Sequence, residues 1–248
     1  MEVTINFVEK RKYKNPMLLV GLPGVGSVAL LAADHLITAL NGVKVAEIYS
    51  HHFPARVLVE EKGLVRLVRN EVYCINTPKR DVLLLTGESQ AQSQEGQYVL
   101  AESVVGLARD LGIGRIITIG GYAIARSVEF PRVIGAATSE EIIEEFSKLG
   151  VEFGNGEPGG GIVGASGVIL GVGSLDGLEG LCLMGETSGY VPDPQAAKKV
   201  LEILSVHLSI DMDYTDLDAK AKQVELIEAQ LRSTAQKEAR DETLRYIG

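Results

Sequence analysis

The chain has 248 residues, enough for one large α/β domain or two small ones with a substantial core. Its formal net charge of −9 weighs against nucleic acid or an anionic membrane as partner, because both carry the same sign. With 46% apolar residues, no Trp and only 5% aromatics, a core of Val, Ile, Leu and Ala is expected, as in parallel strands buried beneath helices.

The opening MEVTINFVEKRKYK lacks an apolar stretch, so no export leader is expected. The longest apolar runs, about six residues broken by Gly, are too short to span a bilayer. Cys74 and Cys182 are isolated in apolar, strand-like segments. They read as buried thiols of a reducing compartment rather than as a disulfide or metal site, which points to the cytoplasm.

Met17–Gly21 (MLLVG) predicts a strand entering the turn Gly21–Gly26 (GLPGVG). A helix follows from Ser27 to about Leu40 and stops at Asn41-Gly42, opening a βαβ unit. Val43–Ile48, Val57–Glu60, Leu64–Arg69 and Glu71–Asn76 alternate apolar and polar, with turn signals at Lys62-Gly63 and Asn70, and predict an insertion of antiparallel hairpins. Asp81–Thr86 and Arg115–Gly120 read as buried central strands, with a helix at Tyr98–Leu111 between them. Ser139–Leu149 predicts a short amphipathic helix, Gly161–Gly171 a helix start with small residues, and Leu178–Met184 another strand. Asp193-Pro194 opens a helix running to about His207, with Asp as N-cap and Pro in the first turn.

Strands alternating with helices predict a three-layer α/β fold with a mostly parallel sheet. Residues 1–210 form its single domain, and 211–248 a helix and mobile tail of charged composition. Leu217, Val224 and Leu231 lie seven apart with Ala221 and Ala235 on the same seam, so this segment reads either as an oligomer contact or as an amphipathic helix packed on a neighbour. After Thr234 the sequence is polar until Leu244, Tyr246 and Ile247.

Ligand sites in such sheets lie at the carboxyl ends of the strands, where Gly21–Gly26, Gly87–Gln97 and Gly185–Tyr190 fall. Gly24 and Gly26 suit either an anion cradle or a tight helix–strand seat, but the turn is neither a P-loop nor the dinucleotide fingerprint. Glu88 stands either as a general base or as a solvated carboxylate, and Arg126 either clamps an anion or pairs with Glu129. The nine glycines of Gly154–Gly173 suit an anion nest or close backbone approach. His51 and His52 are adjacent, so on a strand they face opposite ways and cannot chelate one metal. No catalytic residue, metal site or cofactor motif is assigned from these patterns.

Five motifs in order carry a resemblance. They are GLPGVGSVALLAADHL (21–36), HHFPARVLVEEKG (51–63), LLLTGESQAQSQEGQYVLAESVVGLARDLGI (83–113), RIITIGGYA (115–123) and CLMGETSGYVPDPQAAKKVLEIL (182–204). Together they resemble the proteasome assembly chaperone 2 family over roughly residues 16–210. The resemblance implies a nucleoside-phosphorylase-like fold, a homo-oligomer taken as a ring of four or more, and a partner in the proteasome core particle or its α-subunits. Such factors often dock by a C-terminal apolar residue, a tyrosine and any last residue. Here the end reads Leu244-Arg245-Tyr246-Ile247-Gly248, so the partner-binding residues expected are Leu244, Tyr246, Ile247 and Gly248, with Tyr246 one place early. A nucleoside-phosphorylase-like enzyme or small-molecule sensor is the alternative.

Overall fold

The computed structural model describes residues 2–227 apart from Lys10, Ala125, Ser127, Glu129 and 155–158. In chain order come β1 (Val3–Phe7), β2 (Met17–Gly21), α1 (Val28–Ala39), β3 (Val43–Ser50), β4 (Val57–Val59), β5 (Val65–Leu67), β6 (Asn70–Asn76), β7 (Asp81–Gly87) and α2 (Gln94–Asp110). Then follow β8 (Arg115–Ala123), β9 (Val133–Ala137), α3 (Glu140–Ser147), β10 (Val151–Phe153), α4 (Ala165–Leu175), β11 (Glu179–Thr187) and α5 (Pro194–Leu208). A further helix, α6, is described over 215–227.

The central strands β7, β2, β8 and β11 run parallel and adjacent. β2 is buried along its whole length, as are all but the first residue of β11 and all but the last of β7. Helices cover both faces, which is why these strands are continuous apolar runs rather than alternating ones. α1, α3, α5 and α6 pack on one face, and α2 with α4 on the other. On one side of the parallel block the sheet continues through β6, β3 and β1, each antiparallel to its neighbour. On the other side β9 lies antiparallel to β11 and parallel to β10. The three-layer fold expected from the sequence is therefore present as a large mixed sheet with a parallel centre, and β4 and β5 form a separate antiparallel pair.

Local chemistry sets the helix ends. The Asp193 carboxylate accepts from the Ala196 amide at 2.9 Å and Pro194 follows it, as the Asp-Pro pair requires. Asn41 takes a positive φ of 51° just beyond α1. The Ser93 hydroxyl accepts from Gly96 N at 3.1 Å, so α2 starts at Gln94 and not at Tyr98. Asn70, read as a turn signal, is a buried residue of β6, paired with Ile48 and Gly87.

Where β3 and β6 lack helix cover, charged side chains take its place. Lys44 donates to Glu47 at 2.6 Å and to Glu71 at 3.2 Å, and Arg69 donates to Glu71 at 2.8 Å. The Tyr73 hydroxyl donates to Glu71 at 2.8 Å, and burial together with that carboxylate pushes its pKa up to about 12.

α6 turns back onto its own domain. Leu217 and Ala221 are buried there, Lys198 holds Asp218 at 2.7 Å, and the Tyr214 ring stacks on His35 with centroids 5.6 Å apart. Leu217 is thus spent inside the chain, against α1 and α5, and cannot be the inter-subunit contact expected of it; Val224 is part-exposed, and Leu231 lies outside the described residues.

Candidate functional site

The GLPGVG turn is built as a seat for α1. A Cβ on Gly21 would stand 2.8 Å from the Ala29 carbonyl oxygen and 2.9 Å from the Ala33 Cβ, so glycine is what lets the helix lie on β2. Gly26 has φ +59°, and a Cβ there would meet the Thr187 Oγ1 at 2.7 Å. Gly24, by contrast, is extended, with open space around it. The turn is fastened sideways as well: Asp193 N donates to Gly26 O at 2.8 Å, and Gly121 backs directly onto the Val25 carbonyl.

The glutamines after β7 complete the closure. Gln90 Nε2 donates to the Pro23 carbonyl at 2.6 Å. Its Oε1 accepts from Ala165 N at 2.9 Å and from Gln97 Nε2 at 3.1 Å. Gln97 also donates to the Ala91 carbonyl at 2.9 Å. One side chain therefore ties the turn after β2 to the first residue of α4. The cavity left between Gln90, Gln97, α2 and α4 is about 10 Å³, room for one water at most, against the several hundred Å³ a small-molecule site usually encloses.

The other candidate residues are engaged elsewhere. Glu88 is gripped by the Arg66 guanidinium, which donates to one carboxylate oxygen at 2.9 Å and to the other as well, and by Arg69 N at 3.2 Å. Arg66 holds the Glu88 pKa below the usual carboxylate range and so keeps the carboxylate ionised beside its guanidinium partner. Arg126 is exposed and acts on Glu186 through its charge; its other expected partner, Glu129, lies outside the described residues. Among the described residues no group of three or more His, Cys, Asp or Glu could hold a metal ion.

Sequence reasoning missed the charged group at the end of β11. Glu186 is buried, and Arg132 donates to its Oε2 at 3.2 Å while also bonding Glu152 at 2.8 Å. Arg132 holds the Glu186 pKa down. With Arg132→Met the largest cause of that lowering is gone; burial, which raises a carboxyl pKa, remains, as do the backbone hydrogen bond at position 132 and the Arg126 charge, which lower it. In the parent, a lowered folded pKa gives stability that is present above the unfolded value near 4.5 and lost as pH falls. The variant is expected to lose most of that dependence, its stability falling less than the parent's as pH drops below about 4.5. Urea titrations at several pH values check this; parallel curves for the two proteins would contradict it.

The comparisons with known proteins agree with this fold. The PAC2 family model matches residues 18–232. The chain belongs to the PAC2 family. The PAC2 chain superposes on a Pyrococcus furiosus crystal structure, PbaB, described as an archaeal proteasome activator. The TM-score is 0.88 with 37% identity, covering 93% of this chain and 99% of that one. P. furiosus PbaA, described as an archaeal homolog of proteasome-assembly chaperone, matches with TM-score 0.77 and 27% identity over 99% of this chain and 97% of that one. An uncharacterized protein of Methanocaldococcus jannaschii is 38% identical over 243 residues, 95% of this PAC2 chain and 93% of its own length. No helix among the described residues is long and apolar enough to cross a membrane.

Proposed function

We propose that this PAC2 protein is a proteasome assembly chaperone or proteasome-binding factor, working in the cytoplasm through protein–protein contacts and not by catalysis. The observation that carries the reading is the match to PbaB over nearly the whole of both chains. The working form is an assembly of four or more copies. Leu244, Tyr246, Ile247 and Gly248, which lie outside the described residues, are the contacts to the α-subunits of the core particle. A weak segment carried in several copies binds at high effective concentration, so affinity comes from number more than from the single contact.

The test compares the full chain with one lacking 244–248 for binding to an archaeal proteasome core particle on a biosensor surface. Binding is expected for the full chain and at least a hundredfold weaker for the shortened one, on the order of the 10²–10⁴ gain that multivalency supplies. Equal binding would remove the segment from the mechanism, and no binding by either would overturn the reading.

A further inference from the structure

The β4–β5 hairpin carries its apolar residues on the wrong side for a monomer. The register pairs Val57 with Leu67 and Val59 with Val65, so these four side chains share one face of the ribbon. That face is open: Val57 is 50% exposed, Val59 72%, Val65 65% and Leu67 58%, with Leu64 beside them at 66%. The opposite face is the one attached to the domain, through part-buried Leu58 on the core and Arg66 on Glu88. The hairpin is thus anchored by its back and presents its front to solvent. Beside the hairpin lies a groove of about 910 Å³ whose lining joins Val57 and Leu67 of the hairpin to Phe53, Pro54, Thr4 and Tyr49.

Five aliphatic side chains exposed together on one hairpin are more than scattered single residues account for, and mark a contact surface. Its surroundings select the occupant. The chain as a whole carries −9, yet the residues bordering the patch mix both signs: Arg56 and Lys62 against Glu60 and Glu61. A border of one sign would repel a copy of itself, whereas a mixed border lets the patch meet its own image with acids opposite bases.

We infer that the β4–β5 hairpin is a two-fold contact between copies of this chain, the aliphatic face of each packing on that of the other across the groove. The inference rests on the homo-oligomer proposed above and names the surface that makes it. A two-fold contact pairs protomers, so an assembly closed through it holds an even number of them.

Val59→Glu combined with Leu67→Glu places charges on two already exposed positions, so folding is not at stake; Val206→Glu on α5, also exposed, is the control. Light scattering at micromolar protein is expected to give an even multiple of 26.6 kDa for the parent and the control, and at most half that mass for the double variant. Val65→Cys supplies a second readout. Both native thiols are buried, so a short bismaleimide is expected to join two chains through the new thiols alone. A parent of 26.6 kDa would overturn the homo-oligomer and the hairpin contact together. A multimeric parent with an unchanged double variant and no cross-link would overturn the hairpin contact only. Loss of core-particle binding at unchanged mass would likewise overturn it and assign the face to the proteasome.

Discussion

Gly26→Val is expected to destabilise the protein by about 2–5 kcal/mol. The left-handed backbone costs a side-chain-bearing residue roughly 1–2 kcal/mol, and overpacking against a full core adds roughly 1–3 kcal/mol. Both apply, because Gly26 has φ +59° and its missing Cβ would stand 2.7 Å from Thr187 Oγ1 and 3.0 Å from the Thr187 methyl. For a chain of this length calorimetry would then record a fall in Tm of roughly 4–20 °C. Gly24→Ala is the counterpart. Its backbone is extended and its first neighbour would be 3.9 Å away, so the variant is expected to be neutral or slightly stabilising, since alanine restricts the unfolded chain. The contrast between two glycines two residues apart separates a packed seat from an anion cradle. Near-equal Tm values for both variants would contradict the seat.

Phe146→Ala is expected to cost about 3–5 kcal/mol, the range for emptying a buried ring site that cannot collapse. Phe146 is wholly buried on α3 and its ring lies 4.8 Å from that of His207 at the far end of α5. His207 Nδ1 in turn sits 3.1 Å from Glu145, which accepts from Arg115 at 2.8 Å. The ring therefore seals a polar cluster as well as filling space. Burial lowers the His207 pKa against the opposing pull of Glu145, with Arg115, Arg80 and Lys79 lowering it further. A histidine held neutral in the folded state contributes stability present above its unfolded pKa near 6.5 and lost as pH falls below it. Opening the site to water is expected to flatten that dependence in the variant. A denaturant series at pH 5 and pH 7.5 measures both effects; a loss under about 1 kcal/mol would show that the ring does not hold α3 to the sheet.

The elements legible in the sequence are those whose pattern has a single physical cause. MLLVG and DVLLLTG admit only doubly covered strands, and Asp193-Pro194 and Asn41-Gly42 carry their capping chemistry in the residue types themselves. β1, β9 and β10 were missed for a different reason. VTINF, VIGAA and VEF are short and mixed, and they become strands because a neighbour offers a ladder, a tertiary cause no local window contains. The Gly87–Gln97 segment stood among the strand-end ligand patches because its polarity does not reveal that Gln90 and Gln97 spend their amides on backbone groups of Pro23, Ala91 and Ala165.

Leu217 shows the same limit in reverse. A heptad spacing says that one face of a helix is apolar, not whose surface it covers, and here it covers the chain's own core. The hairpin at 57–67 was visible as two strands and a turn, but its open aliphatic face was not, because alternation gives two faces without saying which is buried. For the GLPGVG turn the sequence favoured a helix seat over an anion cradle, and Ala29, Ala33 and Thr187 are the groups that build the seat.

The central claim is that this PAC2 chain acts by holding proteasome subunits and not by turning over a small molecule. Sedimentation velocity of the full chain mixed with an archaeal core particle, at tens of micromolar, tests it most directly. The account predicts that the chain moves with the core particle, in a boundary faster than the core particle alone. Two independent boundaries, each at the rate of its separate component, would contradict it.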